Sequence, residues 1–346
     1  MSPPVRMGVV GAGALGYHHV RLLRDVAGAT LVGFSDTRGE RSQQVASELG
    51  VTPFDSLDAL IDACDALTIA VPTPAHYAVA KRALEKGRHL LIEKPIAASL
   101  AEADEMLAIA KRTGALIQTG HVERFNRAIR AALPYVEAPR FIDSDRLAPF
   151  NPRGSDVAVV LDLMIHDIDL VLTLVGSHVA DVAAVGVPVL TPFVDIANAR
   201  IGFASGVVAN ITSSRVSRER MRKIRIFQKS GYISLDLAAG NGEFYRLRGD
   251  VDLAALAKAP LALEAFVERV PLEAPEGEPL RLEIESFVAG VRGEQPIVVT
   301  GEDGREALEV ALRIVGEIER TLPSLAGAGA GDALARVAGA GTVAGA

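Results

Sequence analysis

The chain has 346 residues and a formal net charge of −7, from 36 Lys and Arg against 43 Asp and Glu. That length suits two domains or one large α/β unit. Apolar residues are 49% and charged residues 23%, which excludes wholesale disorder, and the mild acidity argues against a nucleic-acid-binding face. The one cysteine, Cys64, excludes an internal disulfide and a cysteine zinc cluster. No run reaches the ~18 uninterrupted apolar residues of a membrane span, and the start lacks a signal-peptide pattern. The expectation is a soluble cytoplasmic protein.

In chain order, short apolar runs at Val5–Val10, Thr30–Ser35, Ala66–Val71, His89–Ile92 and Leu116–Thr119 read as strands. Amphipathic stretches at Ala14–Arg24, Gly39–Leu49, Ala75–Lys86 and Leu100–Arg112 alternate with them as helices. Strands almost continuous in Val, Leu and Ile are buried on both faces, so this half predicts a doubly wound parallel sheet. After about Arg124 the rhythm changes. Helices are expected near Asn126–Leu133 and Val160–Val175. Strand-like segments follow at Val179–Val187, Ile196–Phe203, Val207–Ser213, Lys223–Gln228, Tyr232–Leu237 and Glu243–Arg248. Turn pairs such as Ser205-Gly206 and Asn241-Gly242 separate them, which predicts a mainly antiparallel sheet. Residues Leu253–Pro279 read as a surface excursion, and two closing helices are expected near Leu280–Gly293 and Gly304–Leu322. The Gly/Ala-rich end is expected to be disordered. The domains are therefore placed at residues 1–124 (Rossmann), 125–323 (α+β, substrate and oligomerisation) and 324–346 (tail).

The first motif is Gly11-Ala12-Gly13-Ala14-Leu15-Gly16, a G-x-G-x-x-G between a strand and a helix. Gly11 permits the turn, Gly13 admits a pyrophosphate, and Gly16 lets helix and strand pack. The helix N-terminus would offer free N–H groups to the phosphates. Asp36, 20 residues after Gly16, is spaced to take the adenosine ribose hydroxyls, which favours NAD over NADP. Arg38 and Arg41 follow it and soften that choice. The plain alternative is a tight strand–helix turn with no ligand.

Lys94, in Ile92-Glu93-Lys94-Pro95, stands at the carboxyl end of a strand, where ligands bind in open α/β sheets. A solvated cap is the equal alternative there. Asp162 and His166 are at i and i+4 and share a helix face, with Asp169 at the edge of the same patch. A histidine on such a helix suits a general base. A satisfied core histidine is the common alternative. A metal bound by Asp162, His166, Asp167 and Asp169 is set aside, because Asp167 points elsewhere and two ligands need partners.

These residues together resemble the Gfo/Idh/MocA oxidoreductase family. The resemblance rests on Gly11–Gly16, Val71-Pro72-Thr73-Pro74 with His76, Glu93-Lys94-Pro95, Arg124-Phe125, Asp162 with His166, and Gly301–Ala307, and it runs to about Leu322. It implies a Rossmann domain with bound NAD and a second domain whose open sheet forms a homodimer or homotetramer interface. It implies that Lys94, Asp162 and His166 line the reaction site. It places Ala70, Pro72, Thr73, His76 and Glu93 along the cofactor. The runs Gly120–Asn126 and Asp156–Asp167 resemble a branch that oxidises the C3 hydroxyl of UDP-N-acetylglucosamine or its uronic acid, a step toward diamino-sugars of lipid A or surface polysaccharide. His121, Arg124, Asn126 and Arg153 join Lys94, Asp162 and His166 as substrate-binding candidates. Arg146 is a further arginine for a diphosphate, with a surface or interdomain salt bridge as the commoner role, and the basic stretch Arg215–Arg225 could reach a diphosphate or an anionic patch across a subunit interface, with a solvated strand edge or loop as the commoner reading. A dehydrogenase of inositol or a free sugar is the alternative within the family. A non-catalytic NAD-binding regulator is the alternative outside it.

Overall fold

The computed structural model describes residues 3–152, 154–248 and 266–322. The expected tail and Arg153 lie outside these residues, as do residues 253–265 of the expected excursion. The described chain divides into two compact units. The first holds residues up to Val122 together with Glu278–Glu309, and the second holds Glu123–Gly277 and Val310–Pro323. The first break lies close to the expected boundary at residue 124, and the difference from the linear division is that Glu278–Glu309 belongs to the first unit.

In the first unit, strands β1 (Val5–Val10), β2 (Ala29–Ser35), β3 (Ala66–Ile69), β4 (His89–Glu93) and β5 (Ile117–Gly120) form a parallel sheet in the order β2-β1-β3-β4-β5. Strands β3 and β5 are buried at every position, as their apolar runs require. The crossovers carry α1 (Ala14–Leu23), α2 (Gly39–Leu49), α3 (Leu57–Ala63), α4 (His76–Glu85) and α5 (Leu100–Thr113). The short helix α3 was not expected from its seven residues. Ser56 caps it by accepting the Ala59 N–H at 3.2 Å. Ser99 and Glu102 form a reciprocal cap on α5: the Ser99 hydroxyl accepts from Glu102 N–H and the Glu102 carboxylate from Ala98 N–H. Ile284, Phe287 and Val288 of the returning helix α8 (Pro279–Val291; α6 and α7 follow below) join the core around Met7, Val9, Val20, Leu23 and Phe34. That burial is what the linear reading lacked.

The second unit is built on an eight-stranded sheet. Its strands are β6 (Phe141–Leu147), β7 (Val179–Val187), β8 (Ile196–Phe203), β9 (Val208–Ser214), β10 (Met221–Gln228), β11 (Gly231–Asp236), β12 (Asn241–Leu247) and β13 (Val267–Leu272). The order is β13-β12-β11-β10-β6-β9-β8-β7, antiparallel except for β6 beside β9. Strands β6 and β13 were not expected. Strand β13 corrects the reading of residues 253–279 as a surface excursion throughout. Helix α6 (Arg127–Ala132) packs on β11–β13, and α7 (Ile165–Val175) lies against β6 and β9. On the sheet's outer face Phe141, Phe227, Tyr232 and Tyr245 form a ladder with ring spacings of 5.6, 5.5 and 4.9 Å. The last element among the described residues is α9 (Gly301–Thr321). No helix among the described residues is long and apolar enough to cross a membrane.

Candidate active site

In the first unit the chain leaves β1 in two directions, to β2 and then to β3 on the other side. Ligands bind at such a reversal, outside the carboxyl ends of the strands. Gly11 sits there at φ +88°, and a Cβ on it would lie 2.7 Å from the Ala70 carbonyl oxygen. The turns after β1 and β3 therefore touch. A Cβ on Gly16 would lie 1.9 Å from the Gly11 oxygen, so helix α1 must approach the turn without a side chain. Gly13 differs. A Cβ there meets only Arg38 Nη2, at 3.6 Å. The chain itself does not need a glycine at 13, but a backbone that must touch a pyrophosphate does. Gly13 is the N-cap of α1 and has no side-chain cap, so the N–H groups of Ala14, Leu15 and Gly16 point out of the first turn. The loop thus fits a dinucleotide.

Asp36 ends this wall. Its Oδ2 accepts the Ala12 N–H at 2.7 Å, and its Oδ1 the Arg38 N–H at 2.9 Å. The Arg38 guanidinium adds Nε–H to Oδ1 and Nη2–H to Oδ2, both at 3.1 Å. Burial pushes this carboxyl up, and the Arg38 and Ala12 donors outweigh it, so Asp36 sits below the ordinary range. Arg41 donates to the Ala12 carbonyl at 2.8 Å and stacks over Tyr17, 5.4 Å from its centroid.

Two residues expected along the cofactor are buried and bonded within the first unit. His76 is 1% exposed and its ring nitrogens face the Pro95 and Val71 carbonyls, both at 2.9 Å. It braces the turn after β3 against the turn after β4, which corrects its reading as a cofactor contact. Burial holds its pKa below the usual value. Glu93 is buried, and His19 Nε2 lies 2.8 Å from its Oε1. Sequence reasoning missed His19. Its spacing of three from Gly16 on the buried face of α1 was the available signal. Pro72 is exposed and Thr73 half-buried at the start of the turn that leads into α4. Lys94 is half-buried, directly after β4 and before a cis bond to Pro95. His121, directly after β5, is fully buried. Cys64 is buried too, its thiol pushed up to about 12 by burial, and it takes no part here.

In the second unit Asp162 lies in a π-helical turn, Val160–Met164, that runs straight into α7, and His166 is the second residue of α7. Wide turns of this kind concentrate at functional sites. Asp162 and His166 are both half-buried, whereas Asp167 and Asp169 are buried. The two buried acids are held by arginines. Arg124 makes a fork on Asp169 at 2.8 and 2.6 Å. Arg146 makes one on Asp167 at 2.5 and 3.1 Å, and its Nη1 donates to Glu123 at 2.8 Å. Asn126 is spent as well: its oxygen accepts the Ala128 N–H, and its amide donates to Glu123 and to the Leu237 carbonyl. Arg124, Asn126 and Arg146 therefore hold α6, α7 and β6 together, and these bonds engage the polar groups expected to meet a substrate. Asp169 belongs to this brace and not to the His166 patch. Arg215 is also internal: it binds the Asp195 carboxylate at 2.7 Å and the Gly154 carbonyl at 2.7 Å. Among the described residues no group of three or more His, Cys, Asp or Glu is placed to hold a metal ion.

Residues 5–121 match the oxidoreductase family GFO_IDH_MocA, NAD-binding Rossmann fold, and residues 129–234 match the GFO/IDH/MocA C-terminal domain. The chain is 37% identical over 323 residues to UDP-N-acetylglucosamine 3-dehydrogenase of Acidithiobacillus ferrooxidans, covering 92% of this chain and 98% of that one. A solved structure of that enzyme superposes with a TM-score of 0.84 at 36% identity, over 93% of this chain and 100% of the other. The chain is also 32% identical over 242 residues to scyllo-inositol 2-dehydrogenase (NAD(+)) of Bacillus subtilis, covering 63% of this chain and 69% of that one. With its glycine loop, acid-ended second strand and Glu93-Lys94-Pro95 turn, the chain belongs to the Gfo/Idh/MocA family of NAD-binding oxidoreductases.

Proposed function

We propose that the chain oxidises the C3 hydroxyl of UDP-N-acetylglucosamine, or a closely related UDP-sugar, to the 3-keto sugar with NAD. The observation that carries this is the end-to-end similarity to the Acidithiobacillus ferrooxidans enzyme, at 37% identity over 98% of its length. When bound, NAD supplies the acceptor for the hydride that leaves the sugar carbon. The chain does the rest. Gly11, Gly13, Gly16 and the first turn of α1 hold the pyrophosphate, and Asp36 holds the adenosine ribose. The His166 imidazole takes the hydroxyl proton. Lys94 stabilises the negative charge that grows on the reacting oxygen, and in its amine form it is the alternative base. Asp162, one turn before His166, orients the imidazole or a sugar hydroxyl. The braces Arg124–Asp169 and Arg146–Asp167 keep α7, and so His166, in place.

A homo-oligomer is supported by apolar side chains left at the sheet edge, Val185 and Val187 on β7 and Ile196 on β8, which are 60%, 53% and 36% exposed. Sedimentation equilibrium measures it. The inositol reading has support of its own in the scyllo-inositol dehydrogenase match.

The test is reduction of NAD by UDP-N-acetylglucosamine, followed by absorbance, with an aminotransferase present to draw off the ketone. Lys94→Ala and His166→Ala should each lower kcat by about 10²–10⁴-fold. No turnover, together with no thermal shift on adding UDP, discards the nucleotide-sugar reading in favour of inositols.

A further inference from the structure

We propose that His19 is a positioning residue: it holds Glu93 as a buried anion at the ligand-binding edge of the first unit's sheet, and that fixed charge favours the oxidised dinucleotide over the reduced one. This rests on the reading of Gly11–Gly16 as the cofactor loop. His19 is on α1, three residues after Gly16, and is fully buried. Glu93 ends β4, directly before Lys94, and is buried as well. The 2.8 Å bond between His19 Nε2 and Glu93 Oε1 therefore joins the helix that starts at the glycine loop to the turn that carries Lys94. The end of β5 leaves room for the carboxylate: a Cβ on Gly120 would lie 3.0 Å from Glu93 Oε2.

The second ring nitrogen places the proton. His19 Nδ1 is buried and has no hydrogen-bond partner among the described residues. A proton there would leave a buried N–H orphaned, which is rare and costly. The imidazole is therefore neutral, with its one N–H on Nε2, and it donates to an ionised carboxylate. The pair carries a net negative charge. The imidazole of His76 does not cancel it, because burial disfavours its charged form. The nicotinamide ring is cationic when oxidised and neutral when reduced, so only the oxidised cofactor gains from this charge. At an effective dielectric of about 20, a fixed charge felt across about 10–20 Å changes affinity roughly four- to fifteenfold. Without His19 the carboxyl loses its donor, and burial then favours the neutral, protonated acid.

The experiment is calorimetric titration of the ligand-free full chain with NAD⁺, with NADH and with ADP, whose pyrophosphate reports on the glycine loop without the nicotinamide. Glu93→Gln and His19→Leu should each lower the affinity for NAD⁺ relative to NADH by roughly four- to fifteenfold, with ADP affinity unchanged. His19→Gln keeps an N–H donor at about the reach of Nε2 and should stay near the wild-type ratio. If His19 only packs α1, His19→Leu weakens all three ligands together. That result, or an unchanged ratio of NAD⁺ to NADH affinity in either Glu93→Gln or His19→Leu, overturns the proposal alone. A wild type that binds none of the three ligands overturns the cofactor reading beneath it.

Discussion

Gly13→Ala and Gly16→Ala each add one methyl group, three residues apart, and the structure predicts that only the second disturbs the fold. At Gly13 the backbone is at φ −62° and ψ −159°, which a side chain tolerates, and the nearest atom to the new Cβ is the mobile end of Arg38 at 3.6 Å. Replacing glycine where the backbone allows it stabilises by about 0.4–1 kcal/mol through the unfolded chain. Alanine is a poorer N-cap than glycine, which offsets much of that. The net change in stability should stay within about 1 kcal/mol. The methyl group instead occupies the surface that a pyrophosphate must touch, and NAD affinity should fall by about 10- to 100-fold, or about 1.4–2.8 kcal/mol. At Gly16 the Cβ would stand 1.9 Å from a backbone oxygen, with no flexible side chain to move aside. Overpacking of that kind costs about 1–3 kcal/mol or more, so Gly16→Ala should lose fold and cofactor together. Thermal denaturation and calorimetric titration with NAD separate the two effects. Wild-type NAD affinity in Gly13→Ala, with the fold intact, would refute the reasoning, since a cradle filled by a methyl group cannot hold a pyrophosphate unchanged.

Two further predictions concern the second unit. Asp167→Asn leaves the Arg146 guanidinium, 3% exposed, without its main partner, and should destabilise by about 3–5 kcal/mol in urea denaturation. A change under about 1 kcal/mol would mean that Glu123 alone satisfies Arg146. Asp195 accepts N–H groups from Val189, Leu190 and Thr191 and the Arg215 guanidinium. Burial raises its pKa, those donors overcome the effect, and the carboxyl lies below its usual value. A lowered folded pKa contributes stability that is complete above the ordinary carboxyl range and lost as pH falls through the folded value. Wild-type stability should therefore decline from about pH 4 downward. Asp195→Asn should be less stable at neutral pH and lack that part of the decline. Parallel pH curves for the two proteins would remove Asp195 from the account.

Much of the first unit was legible because its signals are local. Strand β1 and helix α2 begin and end where apolar runs and turn residues place them. The glycine loop could be read before any neighbour was known, since the strand, turn and helix around it are consecutive. Strand β6 was invisible for the opposite reason. Its sequence, Phe141-Ile-Asp-Ser-Asp-Arg-Leu147, looks too polar for the centre of a sheet. Arg146 faces inward only because Asp167 and Glu123, 21 and 23 residues away, neutralise it. Likewise Arg124 and Asn126 look like free polar groups near a cleft until Asp169 and Leu237 are brought to them.

The sequence by itself determined the parallel sheet and the glycine loop between β1 and α1, because periodicity and motif spacing act over a few turns of chain. Tertiary structure alone decided which polar groups are spent inside the protein, since a buried charge is tolerated only when distant elements supply its counter-charge. It also decided that helix α8 completes the first unit's core, because burial of Phe287 against β1 and α1 is a long-range contact that no local pattern records.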